Sequence, residues 1–234
     1  MLRSLIQSHS VRAGIIYGVG GICFAVGNLL LARGLTTQDF AMISVVLAVS
    51  QLASPVGLLG ADTVINRNPI NPAAWLARRV LLSSTVTGLA AFLLVWQLYD
   101  FTPALAAMVL VICVAATTNL LGAAFFRSRE RFFVSLALTQ GHNAVLAIAG
   151  LAVLFVTPIG VALPLAIIFL AYLATALAGW FGALGLPRLD DALPPDRFPW
   201  REGRTILVTS LAIIMLVQME RLLLPILLDN RALA

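Results

Sequence analysis

Five stretches of the chain run for twenty residues or more without a charged side chain: 13–32, 40–61, 80–99, 101–126 and 132–187. No other feature constrains the fold as strongly. A helix needs about 20 predominantly apolar residues to cross a hydrocarbon core of about 30 Å. In that core each backbone N–H and C=O must be satisfied internally, which a helix does. The stretch 132–187 is too long for one crossing, and Thr157-Pro158-Ile159-Gly160 divides it, because Pro and Gly together mark a turn. A last apolar segment, 205–228, carries Glu220 and Arg221 inside it. The expected fold is therefore all-α, a polytopic transmembrane bundle of about seven spans. Composition agrees. Hydrophobic residues make up 61% of the chain and charged residues 11%, against roughly 25% charged in soluble domains.

The loops orient the bundle. The segments that share a side with the N-terminus carry Arg3 and Arg12; Arg67, Arg78 and Arg79; Arg127, Arg129 and Arg131; and Arg188, Arg197, Arg201 and Arg204. The other side has only Arg33 and Arg231, and Arg221 lies within a span. Basic short loops stay in the cytoplasm, so the N-terminus is expected there. The same topology accounts for the pI of about 10.2 without nucleic acid. The apolar run after Arg12 is longer than the core of a cleaved signal, about 7–15 residues, and is expected to be a retained first helix.

The chain divides into a six-helix lobe at 1–186, a linker at 187–204 and the first helix of a second lobe at 205–234. The linker is rich in proline and charge and reads as a cytoplasmic connection. Leu-Leu-Leu-Ala-Arg-Gly-Leu-Thr-Thr-Gln-Asp-Phe-Ala at 29–41 is echoed by Leu-Leu-Leu-Pro-Ile-Leu-Leu-Asp-Asn-Arg-Ala-Leu-Ala at 222–234, with five of thirteen positions identical. Transporters are often built from such repeated bundles. Gly14, Gly18, Gly21 and Ala25 put small residues along one face of the first span, where another helix would pack closely. Pro55 and Pro164 fall within spans and would kink them.

An enzyme is not expected. Lipid-modifying chemistry needs clustered carboxylates, a metal set or a nucleophile beside a base. His9 and His142 are far apart, most acids lie in loops, and Cys23 and Cys113 sit in apolar runs without metal spacing. No cofactor or metal site is read.

Polar groups within spans are costly and should face the bundle interior. The notable ones are Thr117, Thr118 and Asn119 in span four and Gln140, His142 and Asn143 in span five. Either helix–helix hydrogen bonding or the lining of a substrate cavity explains them. Glu220 and Arg221 are adjacent and point about 100° apart on a helix. Arg221 could face an anionic guest, Glu220 an ion or another arginine, and Arg33 the mouth of a cavity.

Several segments resemble a known family. Asn28-Leu-Leu-Leu-Ala-Arg33-Gly-Leu-Thr-Thr-Gln-Asp39-Phe-Ala is similar to the first extracytoplasmic turn of polysaccharide flippases of the Wzx type, in the superfamily that includes the MATE exporters. Gly60-Ala-Asp-Thr-Val-Ile-Asn-Arg67 resembles the end of their second helix. Phe125-Phe-Arg-Ser-Arg-Glu-Arg131 resembles their fourth-to-fifth-helix loop, and Gln218-Met-Glu-Arg221-Leu-Leu-Leu the opening of their second half. The family has twelve to fourteen helices in two lobes. The resemblance implies an N-terminal lobe plus one helix of the second, in a bacterial inner membrane. It also implies alternating-access flipping of lipid-linked oligosaccharide or polysaccharide precursors, such as those of lipopolysaccharide. Membrane lipid and glycan-assembly proteins are the implied partners. The substrate-binding residues expected are Arg33, Asn119, Gln140, His142, Asn143, Glu220 and Arg221. A MATE-type multidrug exporter would want an acid in the lobe interior, and the first six spans have none. A non-transporting scaffold of glycan assembly is the other alternative.

Overall fold

The computed structural model describes residues 9–156 and 160–227, the side chains of 9–12, Glu220 and 224–227 excepted. These residues form eight α-helices and no strand: α1 (His9–Gly34), α2 (Thr37–Leu58), α3 (Ala61–Arg67), α4 (Ala74–Leu98), α5 (Pro103–Ser128), α6 (Phe132–Phe155), α7 (Ala162–Leu184) and α8 (Trp200–Leu227). All but the short α3 are long and apolar enough to cross a membrane, seven in all. The all-α, seven-helix reading therefore holds. The break between the fifth and sixth spans also falls as expected, between Phe155 and Ala162, although its Thr157-Pro158-Ile159 core lies outside the described residues. Outside them too lie Arg3, Arg231 and most of the second copy of the repeat.

Helix boundaries differ from the sequence reading in instructive ways. The second span stops at Leu58, because Leu59 and Gly60 both adopt left-handed backbone (φ 55° and 75°) and turn the chain into α3. Helix α4 begins at Ala74, so Arg78 and Arg79 belong to its first turns. Helix α8 begins at Trp200, which shortens the linker and puts Arg201 and Arg204 on a helix. Pro164 lies in the first turn of α7, where no backbone donor is needed, so it kinks nothing. Pro55 does sit inside α2. Thr36 caps α2, its hydroxyl oxygen accepting from the Asp39 amide at 3.1 Å and its hydroxyl donating to Asp39 Oδ2 at 2.8 Å.

Helices α2 and α5 form the centre. Helix α5 packs on α2, α3, α4, α6 and α7, while α1 packs almost wholly on α6. Close approach of backbones sets these contacts, as expected where lipid removes the hydrophobic drive between helices. A Cβ on Gly122 of α5 would lie 2.8 Å from the Gly179 carbonyl carbon of α7. On α1 the packing face is not the expected one. Gly14, Gly18 and Gly21 face open space, whereas a Cβ on Gly27 would lie 2.6 Å from the Leu146 carbonyl carbon. Gly20, Gly27 and Gly34 repeat every seven residues along the α6 contact, the spacing that keeps one seam against a partner helix.

The linker is not free chain. Asn71 clamps Leu189 at two points: its Oδ1 accepts from the Leu189 amide (2.9 Å) and its Nδ2 donates to the Leu189 carbonyl (2.9 Å). The Leu193 amide donates to the Pro69 carbonyl at 2.8 Å. Arg129 donates to Asn71 Oδ1 at 3.0 Å. Burial lowers the tendency of Arg129 to hold its proton, with Asp191 opposing that shift. Burial raises the nearby Asp62 carboxyl above its usual range, against its own and Thr63 amides and the charge of Arg127. Phe198 is buried, edge-on to Trp75 and against Trp200 at centroid separations of 5.5 and 4.3 Å.

Candidate functional site

Two apolar clusters fill the bundle, and the polar side chains collect at their junction. One cluster runs through Leu47, Val49 and Ala53 of α2 and Val109 to Ala116 of α5. The other begins at Leu58 of α2 and Leu121 of α5 and continues toward the linker. Between them opens a cavity of about 350 Å³. Its polar wall is Ser50, Gln51 and Ser54 of α2, Asn119 of α5, Thr139 and His142 of α6, Tyr172 of α7 and Gln218 of α8. Ile213, Ile214 and Val217 of α8 supply an apolar side.

The hydrogen bonds give this cavity a definite chemical character. Its serine and threonine hydroxyls donate to their own helices: Ser50 to the Leu47 carbonyl, Ser54 to the Ser50 carbonyl and Thr139 to the Ser135 carbonyl. Asn119 Nδ2 donates to the Leu138 carbonyl at 2.8 Å, tying α5 to α6. Gln218 Nε2 donates to Gln51 Oε1, tying α8 to α2. The carbonyl oxygens of both amides remain, buried and with no hydrogen-bond partner among the described residues. Asn119 is 4% exposed and Gln218 6%, so these oxygens cannot turn to bulk water. A buried polar atom left unpaired costs about 1–3 kcal/mol. The cavity wall is therefore polar, built of hydroxyl, amide and imidazole groups, and no charged side chain is in its described wall.

Of the residues singled out from sequence, Asn119 and His142 share this wall. The His142 ring stacks on Tyr172 at 5.9 Å and 18°. Gln140 and Asn143 turn away from it. Successive helical residues rotate by about 100°, so 140 and 143 share a face that 142 does not. Asn143 Nδ2 donates to Gln140 Oε1 at 2.9 Å, and the pair lies against Gly20 of α1. Their geometry is that of helix packing. Thr117 and Thr118 bond back to the Cys113 and Val114 carbonyls. Arg33 is exposed in the last turn of α1, away from the cavity, where a cation complements the helix dipole. Arg221 lies over the Phe24 ring of α1 at 5.5 Å, one turn beyond Gln218 and outside the cavity wall. The Glu220 side chain lies outside the described residues.

Sequence reasoning missed Ser50, Gln51, Ser54, Thr139, Tyr172 and, as a site residue, Gln218. Gln51 and Gln218 were open to the logic applied to Gln140, being amides inside apolar spans. No group of His, Cys, Asp and Glu able to hold a metal ion occurs among the described residues. No protein-family model, curated protein or solved structure matches this chain.

Proposed function

We propose that this chain is a membrane transporter lobe that flips lipid-linked oligosaccharide or polysaccharide precursors across the bacterial inner membrane by alternating access. The observation that carries the reading is the polar, uncharged cavity between the α1–α7 body and α8. Glycans are dense in hydroxyls, which donate and accept, and the hydroxyl, amide and imidazole side chains of this wall are of the types that pair with them. A polar cavity in an otherwise apolar bundle is expensive and is kept where it lines a pathway. At about 350 Å³ it is within the range of small-ligand sites, about 300–1,000 Å³. The anionic pyrophosphate of such a precursor is poorly served by this wall. Arg221, about 4.5 Å further along α8 than Gln218 at 1.5 Å per residue, is the cation nearest to hand for it. The lipid tail stays in the bilayer, and glycan-assembly proteins would supply and consume the precursor.

The test is the leaflet location of polyprenyl-linked glycans in cells with and without the full gene. Build-up on the cytoplasmic leaflet after deletion, reversed by the gene but not by one carrying Asn119→Leu and Gln218→Leu, is the expected result. An unchanged distribution in a strain with no second flippase would overturn the reading in favour of a drug exporter or a scaffold.

A further inference from the structure

The seam between α1 and α6 is tight from Gly20 onward, where a Cβ on Gly20 would lie 2.9 Å from Gln140 Oε1. Toward the α5–α6 turn it parts into a cleft of about 250 Å³. Ala13 and Ile16 of α1 and Phe133 and Leu136 of α6 give the cleft apolar walls, and Glu130 and Arg131 of the turn stand in the same wall. Phe133 is 64% exposed, and Ile15 and Tyr17 beside the cleft are exposed as well, as befits a face in contact with lipid. Three arginines belong to this turn, yet Arg131 is the one lining the cleft. Arg129 is committed to the Ile70 carbonyl and Asn71, and Arg127 acts on the Asp62 carboxyl. The ion pair formed among the described residues, Arg67 with Glu202, lies elsewhere. Glu130 and Arg131 thus present an anion and a cation side by side, neither neutralised there. Glu130 also holds left-handed backbone (φ 58°), where glycine is the ordinary residue, so the acid sits there at a conformational cost.

We propose that this cleft binds one phospholipid whose headgroup carries both a phosphate and a primary ammonium. The phosphate meets Arg131, the ammonium meets Glu130, and the start of an acyl chain lies between α1 and α6. Charge complementarity selects this occupant. A purely anionic headgroup would be drawn to Arg131 and repelled by the carboxylate next to it. A quaternary ammonium has no N–H to give Glu130, whereas a primary ammonium has three. Hydrogen bonds of this kind, with a charged donor or acceptor, are roughly twice as strong as neutral ones, and guanidinium takes phosphate oxygens two at a time. A soluble phosphate ester would satisfy the charges but leave the apolar walls bare. Both walls belong to helices long and apolar enough to cross a membrane, so the bilayer supplies the tail that fills them. No residue of the polar cavity lines this cleft, and the inference stands apart from the transport reading.

Native mass spectrometry of the purified full chain in detergent, titrated in turn with dioleoyl phosphatidylethanolamine, phosphatidylglycerol and phosphatidylcholine, counts the lipids retained. One phosphatidylethanolamine per chain is expected, held about tenfold more tightly than either of the others, the effect of about one hydrogen bond to a charged group. Glu130→Gln should weaken phosphatidylethanolamine about tenfold and leave phosphatidylglycerol no weaker. Arg131→Gln should weaken all three lipids, since all carry the phosphate. Both changes fall on exposed side chains, so an unaltered thermal midpoint is expected to accompany them. Ala13→Trp, which fills the cleft, should remove the retained lipid. Gly18→Trp, on a face of α1 with nothing within 4 Å, should not. Glycerophosphoethanolamine, which has the headgroup without the tails, should fail to displace the lipid, and displacement by it would overturn the lipid in favour of a soluble ester. Tighter retention of phosphatidylglycerol, lost in Arg131→Gln, would mark a basic turn that gathers any anionic lipid and overturn the proposal. So would retention indifferent to headgroup, or phosphatidylethanolamine held as well by Glu130→Gln as by the wild type.

Discussion

Glycine shows at single-residue scale what the sequence could and could not convey. Both Gly18 and Gly27 sit inside α1, and nothing in their immediate neighbours tells them apart. The 4–3–4 stripe of Gly14, Gly18, Gly21 and Ala25 predicted the packing face, yet the face in contact is the heptad series Gly20, Gly27 and Gly34. On an apolar helix both stripes are equally greasy, so periodicity cannot say which side meets protein and which meets lipid. Only the partner decides, and α6 answers with Gly150, where a Cβ would lie 2.8 Å from Leu30 Cβ. The two stripes make a direct comparison. Gly27→Ala puts a methyl group into the α6 backbone and should cost about 1–3 kcal/mol as overpacking. Gly18→Ala meets nothing within 4 Å and should gain up to about 1 kcal/mol of helix propensity. Thermal unfolding of the purified variants is expected to show a midpoint several degrees lower for Gly27→Ala and no loss for Gly18→Ala. Equal losses would mean that the open face is also covered.

At the scale of elements, the question is what holds α8 to the rest. Three contacts fix it along its length: Gln218 on Gln51 in the middle, the Tyr99 hydroxyl donating to the Leu222 carbonyl at 2.6 Å, and a latch at its first turns. In the latch Arg67 meets Glu202 at 2.7 Å, Arg79 lies 4.1 Å over the Trp200 ring, and Gly60 faces Gly203 backbone to backbone. These parts are unequal. The ion pair is 60% and 40% exposed, and such pairs contribute about 0–1 kcal/mol. At Gly60 a Cβ would fall 2.0 Å from the Gly203 carbonyl oxygen, and its φ of 75° already favours glycine. Glu202→Gln should leave the latch closed, and Gly60→Ala should open it. Trypsin reads this at Arg188 and Arg197, both exposed in the docked linker. Cleavage there is expected to quicken severalfold in Gly60→Ala and barely in Glu202→Gln, and the opposite order would mean that charge holds the latch. The sequence showed a Gly before the small polar run at 60–67 but not its partner. A backbone contact between residues so far apart in the chain leaves no trace in local pattern. The same applies to Asn71 and Leu189, which turned an apparent tether into a docked segment.

At the scale of the whole molecule, the seven long helices were legible because hydrocarbon forbids charge over a helix length, a rule that acts on each span by itself. The cavity was half legible. Asn119 and His142 announced themselves as polar groups in apolar runs, but rotation about each helix axis decides which polar group looks inward, and that assigned Gln140 and Asn143 to α1 instead. Sidedness is a separate matter. The arginine loops do gather at one end of the bundle: Arg129 bonds to Ile70 and Asn71, Asn71 to Leu189, and Pro69 to Leu193. Arg33, Asp39 and Asp100 lie at the other end, at the α1–α2 and α4–α5 turns. Only the charge asymmetry bears on which end faces the cytoplasm, since loops rich in arginine resist translocation, and labelling from one side decides it. With Cys23 and Cys113 replaced by Ala, a single cysteine can be placed at Thr37 or Arg131, both exposed and at opposite ends. In intact cells an impermeant maleimide is expected to label Thr37→Cys at once and Arg131→Cys only after the membrane is opened. Reversed labelling would invert the bundle and put the α8 latch on the outer face.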